Sequence, residues 1–388
     1  MNKNNKNENI NFEKNSLENI LNKKRYFASD NCSKVHQDIM KALFDENNGH
    51  AFGYGYDETT NKAVDLIKKH LKRDCEVFFV YNGTGANILA ISHILKPYEA
   101  VITCKTSHIN HHETGGLERF GGNKIIYIET LNGKLKVSDI SKNLREIGDE
   151  HVVQPKIVTI SQPTEYGGVY TKEELNELSD FVHKHNMLLH IDGARIFNAA
   201  VFLNETIDEV IGDADILTFG GTKNGLMFGE VIVFFKKNID EDLIKSFKWS
   251  RKQGMQLHSK MRFIACQYLE YFKSDLPYRL ALNSNKLGEY LEFETDKLKK
   301  YFFDNIDKIK IKEILKSKNF DKYFTSFIRR ETNQIFVFFP LIIYEKVCSQ
   351  YPFYIWDEEN EVVRFVTSWD NTKEDVDNFI KYIKEIIF

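Results

Sequence analysis

Two short segments of the chain carry an acid and a lysine whose chemistry is complementary. Asp192 follows the apolar run 187–191, and Lys223 lies in the glycine-rich turn 220–224. A lysine can form a Schiff base with an aldehyde, and a carboxylate can hold a proton on a pyridine nitrogen, so that the ring draws electrons from a bound substrate. An enzyme built on pyridoxal phosphate needs this pair, and the sequence therefore predicts that cofactor.

Each of these two residues also has an ordinary explanation. An aspartate after a strand is most often a helix cap, and a lysine near glycines is most often a surface turn residue. The local context favours a site, because the runs 187–191 and 214–219 are typical of buried parallel strands. Ligands bind at the carboxyl ends of such strands, and Asp192 and Lys223 each follow one.

A glycine-rich turn falls where a phosphate could bind. Gly83, Thr84 and Gly85 lie between an expected strand at 77–81 and a helix that continues from Asn87. Backbone N–H groups and the partial positive charge of a helix N-terminus favour an anion there. An ordinary turn between a strand and a helix also favours glycine, so this signal is weak by itself.

A histidine-rich segment contains His108, His111 and His112. His108 and His112 are four residues apart, as metal ligands on a helix often are, but the HExxH order and a third ligand are missing, and we expect no metal. We expect instead that the imidazole of His108 stacks on the pyridine ring. Polar packing or a subunit contact is the expected role of His111 and His112.

The composition limits the class of protein. The chain has 388 residues, 42% of them hydrophobic, and a net charge of −3. This length allows a large and a smaller domain, and the charge argues against a protein that binds nucleic acid or a membrane surface. No apolar run reaches the roughly 18 residues that a membrane-spanning helix needs. The first 24 residues lack a hydrophobic stretch, so we expect no secretory signal.

The cysteines indicate a reducing environment. The five of them are scattered, and none forms a Cys-x-x-Cys pair. This spacing argues against a disulfide framework and against a zinc cluster. We therefore expect a cytoplasmic protein.

Strands and helices alternate from residue 76 to about residue 235. Besides the segments already named, strands are expected at 100–103, 124–128, 156–160 and 231–235, and helices at 139–146 and 171–185. Repeated units of this kind imply a mostly parallel sheet that is covered on both faces.

The pattern changes beyond residue 240. Residues 240–300 are typical of long helices, and residues 331–388 of a compact α+β unit with strands at 334–339 and 362–366 and a capping box at Thr372. Residues 301–330 fit neither pattern, and a surface insertion is one interpretation. Residues 1–24 are expected to form a frayed tail or a short helix.

Together these motifs resemble the low-specificity L-threonine aldolases, within the aldolase and β-eliminating lyase group of pyridoxal-phosphate enzymes. The run Asp-Gly-Ala-Arg-Ile-Phe-Asn-Ala that begins at Asp192 is far more specific than the glycine turns. The matching segments occur in family order, at 27–31, 53–57, 82–87, 107–108, 161–168, 190–198, 221–225 and 364–369.

The resemblance implies an α/β fold like that of aspartate aminotransferase. A large domain would hold a mostly parallel seven-stranded sheet, and a small α+β domain would follow at the C-terminus. The domain limits that we expect are 1–40 for an N-terminal segment packed on the small domain, 41–275 for the large cofactor-binding domain and 276–388 for the small domain.

The resemblance also implies roles for individual residues. Lys223 would be the Schiff-base lysine, Asp192 the partner of the pyridine nitrogen and His108 the stacking ring. Gly83 and Thr84 would bind the cofactor phosphate.

The substrate α-carboxylate would be held by Ser29, Arg195 and Arg364, and Arg195 would lie against the cofactor as well. The planar fork of an arginine meets both carboxylate oxygens, although most arginines form surface ion pairs. A basic segment of a neighbouring subunit would reach the phosphate, with Arg251-Lys252 and Lys260 as candidates.

The implied activity is the retro-aldol cleavage of L-threonine and L-allo-threonine to glycine and an aldehyde, by a homodimer or homotetramer with shared active sites. Many family members have a histidine where this chain has Thr164-Glu165. The base for the β-hydroxyl proton is therefore open between His108, Glu165 and a bound water.

Three alternatives remain at this point. The first is another reaction on the same cofactor, such as β-elimination or transamination. The second is a protein that binds the cofactor without catalysis, which the presence of Lys223 and the carboxylate arginines disfavours. The third is a nucleotide-binding protein that uses the Gly83 turn, which lacks a Walker lysine and the full GxGxxG spacing.

Overall fold

The computed structural model describes residues 25–388, and the tail expected at 1–24 lies outside the described residues. The described chain forms a seven-stranded sheet and a separate three-stranded sheet. The large sheet has the strand order β1-β7-β6-β5-β4-β2-β3. Its strands are β1 (Cys75–Val80), β2 (Glu99–Cys104), β3 (Lys124–Ile128), β4 (Gln154–Ser161), β5 (Leu188–Gly193), β6 (Ile216–Gly220) and β7 (Glu230–Phe235).

Strand direction in the large sheet is parallel except at β7. That strand pairs antiparallel with both β1 and β6, whereas β3, β2, β4, β5 and β6 pair parallel with one another. Every residue of β5, β6 and β7 is buried, because helices cover both faces of the sheet. The prediction of a mostly parallel seven-stranded sheet is confirmed.

The helices of the large domain begin where the sequence supplies caps. The side chain of Asn82 accepts a hydrogen bond from Gly85 N at the start of α3, and Thr171 forms a capping box with Glu174. The helices are α1 (Gln37–Glu46), α2 (Glu58–Leu71), α3 (Gly83–Ile94), α4 (His108–His111), α5 (Gly116–Phe120), α6 (Val137–Ser141), α7 (Lys172–Lys184), α8 (Ile196–Leu203), α9 (Glu241–Gln253) and α10 (Arg262–Lys273).

One expected helix is shorter than the sequence pattern indicates. The segment predicted at 139–146 forms α6 and then a 3-10 turn, Lys142–Leu144. The long helices expected at 240–300 are present as α9, α10 and the 29-residue α11 (Leu276–Asp304).

The small domain consists of an antiparallel sheet and the helices that cover it. Its strand order is β8-β10-β9, and its last helix begins with the predicted capping box at Thr372. The strands are β8 (Gln334–Phe338), β9 (Tyr354–Asp357) and β10 (Val362–Val366), and the helices besides α11 are α12 (Tyr344–Cys348) and α13 (Lys373–Ile387).

The segment 301–330 is not a surface insertion, and that interpretation is corrected. After the end of α11 it forms short 3-10 turns, and Ile309, Ile314, Tyr323 and Phe324 are each 1% exposed within the small-domain core. These four residues occur at irregular intervals in the sequence, because separate short 3-10 turns do not repeat one buried face. A search for the periodicity of a helix or a strand therefore does not find them.

The expected domain limits stay predictions, but the structure locates the elements around them. Helix α11 packs Leu276 and Leu280 into the large-domain core and Leu298 into the small-domain core. Phe27 stacks on Phe379 with ring centroids 4.6 Å apart, which ties the N-terminal segment to the small domain. Helix α1 crosses the expected limit at residue 40.

No helix in residues 25–388 is long and apolar enough to cross a membrane.

Candidate active site

The carboxyl ends of three neighbouring strands meet at one cavity. Strand β4 ends at Ser161, β5 contains Asp192, and β6 ends just before Lys223. Parallel strands place their carboxyl ends on one edge of the sheet, which is why residues distant in sequence meet there. The cavity is lined by His108, Ser161, Pro163, Thr164, Glu165, Asp192, Ala194, Arg195 and Lys223.

Lys223 lies in a 3-10 turn that follows β6. The turn, Thr222–Asn224, ends at Gly225, whose φ of 97° is a conformation that favours glycine. Burial and the positive charge of Arg195 lower the pKa of Lys223, against the opposing effect of nearby acids. A lowered pKa increases the fraction of uncharged amine, which is the form that attacks an aldehyde.

The carboxylate of Asp192 is fixed by two donors. Its Oδ2 accepts from Asn87 Nδ2 at 2.8 Å, and its Oδ1 accepts from the backbone N of Ala194 at 3.0 Å. Burial opposes ionisation, but the charges of His108 and Lys223 and these donors together lower its pKa. Asp192 is therefore an ionised, oriented carboxylate, as a partner for a protonated ring nitrogen must be.

Asn87 links the acids of the site to the sheet. It donates to Glu113 Oε1 at 2.9 Å as well as to Asp192, and its Oδ1 accepts from Thr218 Oγ1 at 2.6 Å. Thr218 Oγ1 in turn lies 3.1 Å from Nε2 of the buried His190. A fully bonded amide in this position holds two carboxylates at a fixed separation.

His108 begins α4 and is oriented by an acid. Its Nδ1 lies 2.8 Å from Oε1 of Glu113, whose side chain is fully buried. The hydrogen bond to Glu113 raises the pKa of His108, while burial raises that of Glu113. Because Glu113 Oε1 also accepts from Asn87, Nδ1 of His108 carries the proton and Nε2 is left as the acceptor.

Glu165 closes one side of the cavity. Its Oε1 accepts from the backbone N of His108 at 2.8 Å and from Ser161 Oγ at 2.7 Å, whereas Oε2 is buried without a partner among the described residues. Burial raises the pKa of Glu165 above that of an exposed glutamate. This carboxyl is poised to exchange a proton closer to neutral pH.

Arg195 is held by an acid that the sequence did not single out. Its Nε and Nη2 lie 2.6 Å and 2.8 Å from the two oxygens of Asp30, a two-pronged pair that fixes the guanidinium plane. Asp30 is 1% exposed and also accepts from Asn333 of the small domain at 3.2 Å. Both prongs of Arg195 are thus committed to Asp30, and Nη1 is the group left for a ligand.

Arg364 lies on β10, which places it in the small domain. Its Nη2 reaches Ala28 O at 3.4 Å, and its Nε is buried without a partner among the described residues. Burial and the charge of Arg195 lower its pKa to about 10. Ser29, the neighbour of Ala28, caps the turn Asp30–Cys32 with its hydroxyl. Arg364 has unused donors, as expected of a residue that awaits an anion.

The N-terminus of α3 forms the candidate phosphate cradle. Asn82 caps the helix, and a Cβ placed on Gly83 would meet nothing within 4 Å, so the backbone there is open. Thr84 lines a cavity of about 600 Å³ together with Gln256. The open N–H groups and the helix dipole fit a phosphate.

Lys252 and Lys260 do not enter the cavity that holds Lys223. Both are exposed, and the ammonium of Lys252 lies 5.1 Å from the ring centre of Tyr54. Arg251 is turned inward, with Nη1 3.1 Å from Phe79 O. None of these cations lies among the residues that line the Lys223 cavity or the cavity beside Thr84.

Three residues of the site were missed from the sequence: Asn87, Glu113 and Asp30. Asn87 had a usable signal, because it is a polar residue between the apolar Ala86 and Ile88 of α3, and the structure leaves it only 3% exposed. Glu113 and Asp30 had no such signal. Their partners are five and 165 residues away, and no periodicity links them.

The site fits pyridoxal phosphate on its own geometry. An ionised carboxylate, a lysine of lowered pKa and an imidazole line one cavity. An open helix N-terminus offers room for a phosphate, and Arg364 carries a buried nitrogen without a partner for the carboxylate of an amino acid. These are the groups that the cofactor and such a substrate require.

Comparison with known proteins gives the same result. The family model described as beta-eliminating lyase matches residues 26–310. The low specificity L-threonine aldolase of a Pseudomonas species is 39% identical over 268 residues, which cover 68% of this chain and 76% of that protein. The low specificity L-threonine aldolase of Saccharomyces cerevisiae is 26% identical over 272 residues, or 68% of each chain.

Solved structures agree at the level of the fold. The threonine aldolase of Leishmania major superposes with a TM-score of 0.81 at 28% identity, covering 94% of this chain and 100% of that one. An aspartate aminotransferase of Thermus thermophilus superposes with a TM-score of 0.65 at 12% identity, covering 97% and 96%. The expected aspartate-aminotransferase-like fold is confirmed.

Fold and site together define a pyridoxal-phosphate-dependent lyase. The prediction of pyridoxal phosphate as the cofactor, made from Asp192 and Lys223, is confirmed. The chain belongs to the beta-eliminating lyase family, and the resemblance to the low-specificity L-threonine aldolases is confirmed.

Proposed function

We propose that the protein cleaves L-threonine, L-allo-threonine and related β-hydroxy-α-amino acids to glycine and an aldehyde. The observation that carries the proposal is one cavity that brings Lys223, Asp192, His108 and Arg195 together, in a chain 39% identical to a low specificity L-threonine aldolase. Pyridoxal phosphate, when bound, supplies an electron sink for the bond that breaks.

Five residues would hold the cofactor in this proposal. Lys223 provides the amine that attaches it, and Asp192 keeps the proton on its ring nitrogen. His108, which Glu113 orients through Nδ1, would support the cofactor ring. Gly83 and Thr84 receive the phosphate at the N-terminus of α3, where the backbone is open.

The substrate carboxylate is bound by the remaining donors of Arg195 and Arg364 together with Ser29. Asp30 fixes the guanidinium plane of Arg195, so that its free Nη1 is presented in one orientation. Holding the carboxylate in one place would set the orientation of the Cα–Cβ bond at the cofactor, and that orientation would select carbon–carbon cleavage.

The β-hydroxyl proton goes to Nε2 of His108. Nδ1 donates to Glu113, which leaves Nε2 as the lone-pair acceptor. Glu165 supports this step from the other side of the cavity, since it holds the backbone of His108 through Oε1. Glu165, which lies in the segment where many family members have a histidine, thus anchors His108 as the base in this proposal.

The active unit is a homodimer or homotetramer in this proposal. Lys252 and Lys260 are exposed and lie apart from the cavity, which agrees with a role at the phosphate of a neighbouring copy. Large apolar side chains are exposed on the same domain, including Phe44, Phe52 and Tyr56. Sedimentation of the holoenzyme tests the assembly, and fractionation of cells tests the cytoplasmic location that we also propose.

The first experiment incubates the purified holoenzyme with L-threonine and L-allo-threonine. Glycine and acetaldehyde in equal amounts are the expected products. The variant Lys223→Ala should lose this activity and the visible absorption of the attached cofactor, whereas Lys237→Ala, an exposed lysine paired with Asp213, should keep both. 2-Oxobutyrate and ammonia instead of glycine would place the protein among the eliminating lyases.

A further inference from the structure

Glu230 is a buried carboxyl next to Lys223 that has no role in the proposed reaction. It begins β7, pairs across the sheet with Gly220 of β6, and is 8% exposed. A Cβ on Gly220 would overlap Oε2 of Glu230, so the missing side chain provides the space for the carboxyl. The turn with Lys223 begins directly after this pair.

The polar contacts of Glu230 point toward the lysine turn. Its Oε1 accepts from the hydroxyl of Thr222 at 2.8 Å, and Thr222 is the residue before Lys223. Within residues 25–388 Glu230 belongs to no ion pair of 4 Å or less. Burial raises the pKa of Glu230 to about 7, although Thr222 and the charge of Lys223 act in the opposite direction.

The other acids around Lys223 already have hydrogen-bond or ion-pair partners. Asp30 is bound by both prongs of Arg195, and Asp192 is held by Asn87 and the backbone of Ala194. Arg195 repels the ammonium of Lys223, whereas Asp30, Asp192 and Glu230 attract it. Of these three acids, Asp30 is paired with Arg195 and Asp192 is assigned to the ring nitrogen of the cofactor. Glu230 has no such partner among residues 25–388.

Two tyrosines complete the surroundings of Glu230. Tyr268 and Tyr271 are fully buried, and burial together with the charge of Glu230 holds the pKa of each phenol far above its ordinary value. Both stay neutral near pH 7. In this corner burial thus raises the pKa of Glu230 and lowers the pKa of Lys223, so the proton affinities of the two groups move toward each other.

We propose that Glu230 is a positioning residue that acts through Lys223: its carboxylate stabilises a proton on the lysine nitrogen, and its neutral form favours the uncharged amine. When the lysine nitrogen loses a proton and Glu230 gains one, the two groups together keep one proton and the same net charge. A buried site gains from this, because no charge is left unbalanced in a medium of low dielectric. The inference rests on the cofactor-attaching role proposed for Lys223.

The test is a pH titration of the visible absorption of the holoenzyme. This absorption changes when the nitrogen that the cofactor shares with Lys223 loses its proton. In Glu230→Gln the negative charge is gone, and the transition should move to lower pH by roughly one pH unit or more. Glu230→Asp keeps the charge and should stay close to the parent protein.

The matched control is Glu361→Gln, which removes a partly buried carboxyl in the small domain that accepts from Tyr323. It should leave the transition in place.

A second variant, Thr222→Val, removes the hydroxyl that stabilises the charged form of Glu230. It should move the transition to lower pH by less than Glu230→Gln does. Thr222→Val still tests the inference if Glu230→Gln does not fold.

The outcomes separate this inference from the proposed function. Transitions in Glu230→Gln and Thr222→Val at the pH of the parent protein, with the absorption lost in Lys223→Ala, would overturn the role of Glu230 and leave that of Lys223 intact. Absorption that survives in Lys223→Ala would overturn both. A downward shift in both variants, with Glu361→Gln unchanged, establishes the pair.

Discussion

The Nδ1 atom of His108 lies 2.8 Å from Oε1 of Glu113, a carboxyl group that is fully buried. This contact connects the imidazole of the cavity to the acid network around Asn87 and Asp192. It sets the tautomer and the plane of His108 together, in the way that a buried acid orients the base of a catalytic dyad.

Replacing Glu113 by glutamine should lower the pKa of His108. The hydrogen bond to the Glu113 carboxylate is the largest of the effects that raise this pKa, and glutamine accepts it without a negative charge, so the pKa of the imidazole falls back toward its ordinary value. We expect kcat to fall by about 10- to 100-fold, as when a residue that orients a reacting group is removed. Histidine NMR of the variant, with His108→Asn for assignment, measures the shift, and an unchanged pKa would contradict it.

Replacing Asp192 by asparagine should lower kcat by about a hundredfold or more, because an amide cannot stabilise a proton on the ring nitrogen. The visible spectrum of the holoenzyme should change as well. Asp215→Asn is the matched control, since Asp215 is a buried acid that accepts from His183 and the backbone of Leu189. That variant should lose stability while its spectrum stays the same, and equal spectra for all three proteins would refute the role of Asp192.

Replacing Asp30 by asparagine should destabilise the protein by about 3–5 kcal/mol, the usual cost of breaking a buried ion pair. Burial opposes the charge of Asp30, but Arg195 outweighs it and lowers the pKa. The pKa of Asp30 is lower in the folded protein than in the unfolded chain. The ion pair therefore contributes its full stability at pH values above the unfolded pKa, and this stability is lost as pH falls through the folded-state pKa.

Urea unfolding at several pH values checks the prediction for Asp30. The difference between Asp30→Asn and the parent protein should be large at neutral pH and should shrink toward acid pH. A difference independent of pH would mean that the charge of Asp30 contributes nothing.

Replacing Glu165 by glutamine should stabilise the protein at neutral pH. Burial raises the pKa of Glu165 in the folded state, so ionising it costs folding free energy, and that cost appears as pH rises through the folded pKa. Glutamine can still accept from Ser161 and from the backbone of His108 without carrying a charge. Thermal unfolding at pH 7 and near pH 4 measures the gain, which should vanish at the lower pH.

Replacing Ile314 by alanine should cost about 2–5 kcal/mol, because its side chain is 1% exposed in the small-domain core. Ile342→Ala is the matched control in the same domain, with a side chain that is 61% exposed. It should cost less than about 0.5 kcal/mol. Equal losses of unfolding free energy in the two variants would contradict the assignment of residues 301–330 to the core.

Much of the fold followed from the sequence, because buried strands and capped helices are local patterns. The runs around Asp192 and Lys223 predicted β5 and β6, and Thr372 predicted the start of α13. Residues 301–330 did not follow, since 3-10 turns bury side chains at irregular intervals. The antiparallel direction of β7 also depends on where the chain returns to the sheet, which local periodicity does not encode.

The sequence by itself determined the chemistry of this protein: a lysine and an acid at the ends of two strands, within motifs that are specific to a family. Tertiary structure alone decided how those groups are held and charged. Asp30 is bound to Arg195 from 165 residues away, Glu113 orients His108, and Glu230 lies against the turn of Lys223. Burial and neighbouring charge set proton affinities, and both exist only after distant segments have packed together.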